Sequence, residues 1–513
     1  MKKFYYITTP IYYVNDRPHI GHAYTSLSAD ILSRFKHLDG YETIFLTGTD
    51  EHGQKVEKSA IAKNKTPQEF VNEVSVFFKE LTPLLNLSNN DFIRTTEERH
   101  KKAVQHLWQT LEDNSCIYLD KYSGWYALRD ECFYAEAELT TKEDGTKLAP
   151  SGATVEWLEQ DSYFFKLSSF QDKLLDFYAK NPNFISPKSR YNEVVSFVKS
   201  GLKDLSISRD NFNWGIPVPN NNKHVIYVWL DALTNYISAL GYPAKTEQLQ
   251  NYWEQAIHVV GKDIIRFHAV FWPAFLMGAN LPLPKKIFAH GWWLNEGEKI
   301  SKSLGNAIDP KQLIDKYGLD NIRYFLFKEI SFGSDGDISH NNIVSRINNE
   351  LANEYGNLLQ RTISILNKSF DSTLVNVKLS EKQTEIINDT NHTLEKCRNY
   401  IDNQDLLNYI DCVMQLIKYG NFYINEMAPW KLIKAEQHEE ALSVLYVVCE
   451  ILRRVSLLMQ PVMPSSAKKI LDQLNINETK RSFIDFNSLI ENNHVVNAPV
   501  IVFEKYIDSN DNS

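Results

Sequence analysis

Apolar positions near the amino terminus first run together and then recur at helical spacing. "KFYYITT" is β-branched and aromatic, which predicts a strand. A loop with Pro10 and Pro18 follows. Leu27, Ile31, Phe35 and Leu38 then recur every three or four residues, which predicts a helix capped near Gly40. The next apolar run, "ETIFLTGTDEHG", predicts a strand ending in Thr49, Asp50, Glu51 and His52. Strand, helix and strand within about fifty residues make a βαβ unit and predict an α/β fold with a parallel, doubly wound sheet. Ligands of such sheets lie beyond the carboxyl ends of the strands. The loops carrying His19–His22 and Asp50–His52 both fall there.

Between about residues 116 and 225 the pattern breaks into short strand-like pieces: "CIYLDKYSGWYAL", "CFYAEAEL" and "ATVEWLEQDSYFFKL". Polar turns such as "KEDGTKLAPSGA" separate them, so the stretch reads as an insertion between two halves of the sheet. Strand-then-helix spacing returns in "HVIYVWLDALTNYISAL" and "AIHVVGKDIIRFHAVFWPAFLMG". From about residue 341 the chain is expected to be helical. Leu351, Tyr355, Leu358, Thr362 and Leu366 form one apolar stripe, and Leu442, Leu445, Cys449, Leu452 and Met459 another, which Pro461 and Pro464 break.

A chain of 513 residues is too long for one core and predicts several domains. The formal net charge of -9 excludes a general basic coat, so any RNA contact must come from local patches. Five cysteines without a C-x-x-C pair support reduced thiols in a cytoplasmic setting rather than a disulfide framework. The start, "MKKFYYITTPIYYVNDRP", lacks a long apolar core and reads as a strand, not a signal peptide. Nothing approaches about 18 uninterrupted apolar residues, so no membrane span is expected.

Two stretches carry candidate chemistry. In "PHIGH", His19 and His22 stand at a predicted helix N-terminus, where backbone N–H groups and the helix dipole suit phosphate. Gly21 would let a flat base lie on bare backbone. An isolated H-x-x-H more often caps a helix or fills a polar core. In "EKISKSLGN", Lys299 and Lys302 alternate with Ser301 and Ser303, a set suited to phosphate oxygens, although most such loops are solvated turns. Their presence on one α/β chain favours phosphoryl or nucleotidyl transfer, in which the protein positions groups and neutralises developing charge.

"PHIGH" and "KISKS" resemble the two signature sequences of class I aminoacyl-tRNA synthetases. "ITTPIYYVNDRPHIGHAYTSLSAD", "FLTGTDEHGQK", "ISRDNFNWGIPVP", "VWLDALTNYISALGY", "VGKDIIRFHAVFWPA", "AHGWWLNEGEKISKSLGN", "FGSDGDIS" and "NEMAPWKL" resemble, in order, blocks of the methionyl-tRNA synthetase family. The likeness runs to about residue 465. Ile300 stands where the family usually has methionine.

The resemblance implies a Rossmann-type catalytic domain over 1–115 and 226–285, with a connective insertion over 116–225. It further implies a stem-contact region with the KISKS loop over 286–345 and an all-α anticodon-binding domain over 346–505. It implies activation of L-methionine by ATP to methionyl-adenylate, with Mg²⁺ accompanying the ATP, and transfer to initiator and elongator tRNA(Met). His19, His22, Lys299 and Lys302 would be catalytic, with Gly21, Gly261, Asp263 and Ser301 completing the ATP site. Methionine would meet Ile11, Tyr13, Asp50, Trp229, Ala232, Tyr236 and His290, an aromatic slot suited to a polarizable thioether. On sequence alone, Trp229 and Tyr236 read rather as core packing, and Asp50 equally as a turn or cap residue. Asn357, Arg361 and Trp430 would read the anticodon, although Trp430 could instead pack between helices.

Cys116 and Cys132 are too few for a Cys₄ zinc knuckle, so no structural zinc is expected. The chain stops soon after the helical bundle, without the further domain that dimerises some relatives, so a monomer is expected. Competing readings are a class I ligase for valine, isoleucine, leucine or cysteine, a small nucleotidyltransferase, and a tRNA-binding factor with a dead active site. A large editing insertion would not fit the length, zinc-binding thiols are missing, and the helical third and intact lysines argue against the last two.

Overall fold

The computed structural model describes residues 2–14, 17–127, 129, 132–134, 136–295, 298–299, 308–375 and 377–507. They fall into two compact units. One comprises Met1–Tyr5, His19–Thr43 and His290–Ser513, the other Tyr6–Pro18 and Ile44–Ala289.

The second unit is built on a seven-stranded sheet. Its labelled strands are β1 (Lys3–Thr8), β2 (Tyr12–Tyr13), β3 (Tyr41–Asp50) and β4 (Asp91–Arg94). The order is Ile185–Ser186, Lys286–His290, Ala256–Gly261, β1, β3, β2, with β4 also paired to β3. β1 runs parallel to Ala256–Gly261, and β3 runs parallel to β2 and β4. The last six residues of β3 are all buried, Thr47, Thr49 and Asp50 included, so the strand is covered on both faces. Strand order reverses at β1: the chain goes first to β3 and returns later to β1's other side. That reversal is where doubly wound sheets place ligands. Around the sheet, Trp108, Phe165, Trp272 and Phe275 belong to one contiguous core.

The insertion contains the expected strands, which pair antiparallel in the order Leu205–Ser206, Glu156–Phe165, Ile117–Ala127, Cys132–Tyr134. Reading the whole stretch as short strands needs correction, because Gln171–Lys180 and Lys188–Lys199 are helices. Each buries a pair four residues apart, Leu174 with Tyr178 and Val194 with Val198, a 3.6-period signal hidden among aromatic strand pieces. Between them, Ile185–Ser186 joins the edge of the large sheet.

The first unit contains helix α1 (Ile20–Leu38) and the carboxy-terminal helices. Both predicted apolar stripes are buried. The first stripe starts in a π-helical segment, Arg346–Gly356, and continues in the α-helix Asn357–Ser369. The helix His438–Met459 stops before Pro461, and Pro464 opens the next one. At the far end of α1 the Asp39 carboxylate accepts from Arg398, and Lys36 donates to Asp402 at 2.5 Å. Among the described residues no helix is long and apolar enough to cross a membrane.

Candidate functional site

His19 is the N-cap of α1. Its Nδ1 accepts from the Gly21 N–H at 3.0 Å, and His22 Nδ1 accepts from the His19 N–H at 3.0 Å, a reciprocal capping box. Because both Nδ1 atoms accept, each neutral ring must carry its proton on Nε2. The ring centroids lie 4.0 Å apart, so the two Nε2–H donors are held as a pair. Gly21 makes this possible: a Cβ there would lie 2.8 Å from His19 Cε1. The capping and phosphate-binding readings of "PHIGH" are therefore compatible, since they use opposite edges of the rings.

In the same unit, Lys299 lies in the short strand Glu298–Lys299, antiparallel to Trp293–Asn295. Ser301 and Lys302 lie outside the described residues, as does the Lys299 side chain. The chain resumes at Ile308, whose carbonyl accepts the Ile20 N–H at 3.0 Å. One backbone hydrogen bond thus ties the segment after "KISKS" to the first residue of α1. His290 is buried here as well. Its Nδ1 donates to the Gly291 carbonyl at 2.7 Å, and Nε2 meets the Thr25 hydroxyl at 2.8 Å, while Thr25 also contacts the Gly21 carbonyl.

The second unit carries the candidates outside α1 and the carboxy-terminal region, with Asp50 and Gly261 at the carboxyl ends of strands of its sheet. Asp50 ends β3, buried and in register with Tyr13 of β2; the Asp50 carbonyl also accepts the Val14 N–H at 3.1 Å. Ile11 precedes β2 and packs against the main core. Gly261 ends its strand, and Asp263 follows in a single 3₁₀ turn. Trp229 and Ala232 share one face of the short helix Val228–Leu233. The Trp229 indole stacks on Phe267 with ring centroids 3.5 Å apart. Tyr236 is only 1% exposed. His268 Nδ1 donates to the Ile264 carbonyl, so its Nε2 accepts from the Tyr236 hydroxyl at 2.7 Å; burial lowers the His268 pKa to about 4, which keeps that acceptor available.

Residues flanking Asp50 form networks. Glu51, fully buried, takes two bonds from Arg94 at 2.6 and 2.9 Å and one each from Thr49 and Thr96 at 2.7 and 2.6 Å. His52 Nδ1 meets Asp231 Oδ2 at 2.6 Å.

Among the helices, Asn357 is exposed and opens the helix that carries Arg361. Arg361 donates to Asn425 Oδ1 at 2.8 Å, and its guanidinium lies 5.1 Å from the Trp430 ring centre. Trp430 is half-buried in the helix Pro429–Lys434, one residue after the proline that starts it. Arg361 and Trp430, sixty-nine positions apart by number, form one cationic–aromatic face.

Residues 5–363 match the family described as tRNA synthetases class I (M), and residues 376–513 match the anticodon binding domain of methionyl tRNA ligase. The chain is 54% identical to a methionine–tRNA ligase of Rickettsia bellii over 99% of its own length and all of that protein. A Brucella suis methionine–tRNA ligase is 49% identical over 99% of both chains. The chain belongs to the methionyl-tRNA synthetase family. Its backbone also superposes with a TM-score of 0.94 on a Mycobacterium tuberculosis methionyl-tRNA synthetase in complex with methionyl-adenylate, at 44% identity over 98% of this chain and 99% of that one.

Sequence reasoning placed Glu51 at a strand end without its partners and gave no role to Arg94, His100 and Asp231. A usable signal existed for Asp231: a carboxylate inside the apolar run "VWLDAL" needs a buried partner. Among the described residues no three His, Cys, Asp or Glu side chains cluster so as to hold a metal ion.

Proposed function

We propose that the chain activates L-methionine with ATP and transfers the methionyl group to initiator and elongator tRNA(Met). The methionine carboxylate attacks the α-phosphate, pyrophosphate leaves, and the terminal ribose hydroxyl of tRNA then takes the acyl group. The Nε2–H groups of His19 and His22 donate to phosphate oxygens as charge develops, with Lys299, Ser301 and Lys302 supplying the second set of donors. Gly261 and Asp263 bind the adenosine ribose. Asp50 binds the substrate ammonium, while Ile11, Tyr13, Trp229, Ala232, Tyr236 and His290 receive the side chain. Mg²⁺ arrives with ATP and neutralises phosphate charge. No structural zinc is needed, and stoichiometric zinc in the purified enzyme would contradict this.

The Ile20–Ile308 hydrogen bond supports this reading most directly, because it ties "PHIGH" to the segment that follows "KISKS" in the sequence. Methionine, and not valine, leucine or cysteine, should stimulate ATP–pyrophosphate exchange; absence of exchange would favour a tRNA-binding factor instead. Gly21→Ala displaces the His19 ring and should lower exchange by about 100-fold, since a misplacement near 1 Å costs that much. A rate within twofold of the parent would remove the paired imidazoles from the chemistry.

Anticodon recognition by Asn357, Arg361 and Trp430 is supported by the cationic–aromatic face, which suits a splayed base. Trp430→Ala should leave exchange intact and weaken tRNA charging by about 1–3 kcal/mol in kcat/KM, the value of one stacked base. Normal charging by this variant would move the anticodon site elsewhere.

A further inference from the structure

Asp231 is fully buried and lies between two histidines. Its Oδ2 accepts from His52 Nδ1 at 2.6 Å and its Oδ1 from His100 Nε2 at 2.8 Å, while His100 Nδ1 meets the Ser238 hydroxyl at 3.0 Å. Burial alone would raise the carboxyl's pKa, but the two imidazoles outweigh it and bring it down to about 2, so the group is an anion at neutral pH. An ionised carboxylate only accepts, so both rings must donate to it. An anion this deep is tolerated because both of its oxygens are hydrogen-bonded, and those bonds can be used to tie elements together.

The three elements it joins show that use. His52 follows Asp50 and Glu51 at the end of β3; Asp231 lies between Trp229 and Ala232 in the helix Val228–Leu233; His100 belongs to the helix Glu98–Asp113. The same strand end is fastened on its other side by the Arg94–Glu51 pair and by Trp214, whose Nε1 donates to the Glu51 carbonyl at 2.6 Å while the indole meets His52 edge-on. We infer that Asp231 is a positioning residue for methionine: through His52 it fixes the strand end bearing Asp50 against the helix bearing Trp229 and Ala232. The inference rests on the proposed binding of methionine by those residues. The ammonium site and the Trp229–Ala232 part of the side-chain slot come from segments about 180 positions apart, and the Asp231–His52 bond sets the distance between them.

The test is ATP–pyrophosphate exchange on the full chain, with KM for methionine, KM for ATP and kcat measured separately. Asp231→Asn and His52→Gln should each raise the methionine KM about tenfold, with the ATP KM within twofold. His100→Gln retains the link to the strand end, so it should lower the melting temperature while leaving the methionine KM within twofold. A merely structural role predicts a different pattern: kcat falling with the folded fraction while both KM values stay put. That result, or an equal rise in both KM values, overturns the inference. If Asp231→Asn does not fold, His52→Gln decides alone, because it leaves the Asp231–His100 pair in the core. Asp50→Asn tests the underlying assignment, and an unchanged methionine KM there overturns both.

Discussion

Replacing His22 with glutamine should cut ATP–pyrophosphate exchange by about 100- to 1,000-fold, the cost of removing one preorganised donor from a site of developing charge. The same change should barely move the melting temperature. His22 occupies the third helical position, where glutamine can reach back and accept the His19 N–H as the second half of the capping box. The cap survives, whereas the Nε2–H fixed by the imidazole's tautomer and by its 4.0 Å ring contact with His19 does not. His22→Ala loses both and should also cost about 1 kcal/mol of stability. Exchange kinetics beside a thermal melt separate the effects. If glutamine supported normal exchange, His22 would be a cap and nothing more.

Arg323→Met should destabilise the enzyme by about 3–5 kcal/mol, because it strands a buried carboxylate. Arg323 is fully buried; it donates to Asp30 at 2.6 Å and to the carbonyls of Val462 and Pro461, both at 2.8 Å. Asp30 is also fully buried and would keep the more exposed Arg34, at 2.8 Å, as an ion-pair partner. Adding Asp30→Asn removes the stranded charge, so the double variant should melt above the single one. A double variant that melts lower than Arg323→Met would mean that Asp30 acts through other partners.

Periodicity carried most of the architecture. The Leu27–Leu38 stripe marked α1, the run ending at Asp50 marked β3, and both carboxy-terminal stripes fell on buried helix faces. These are local signals, each written within about twenty residues. Two failures had other causes. The π-helical stretch Arg346–Gly356 places Ile347, Leu351 and Tyr355 four apart, a spacing that an α-helix would also give, so the pattern does not reveal it. The helices of 171–199 were masked by the aromatic strand pieces around them. The candidate site was legible where residues act through their own element, as in the His19–His22 cap, and less so where a partner is distant. Tyr236 could be core or pocket on sequence; its hydroxyl is committed to His268, which no local pattern discloses. Asp231 was missed for the same reason, with partners at 52 and 100.

The Arg323–Asp30 pair also sets a timetable for biosynthesis. α1 leaves the ribosome among the first forty residues, yet its buried acid waits for a guanidinium encoded 293 positions later, and Lys36 for Asp402 beyond that. At about 5–20 residues per second this is a delay of roughly 15–60 s, during which the inner carboxylate has Arg34 of its own helix but not the buried Arg323, and the amphipathic helix must be kept from the wrong partners. A nascent chain arrested before residue 323 should therefore remain protease-sensitive at its amino terminus.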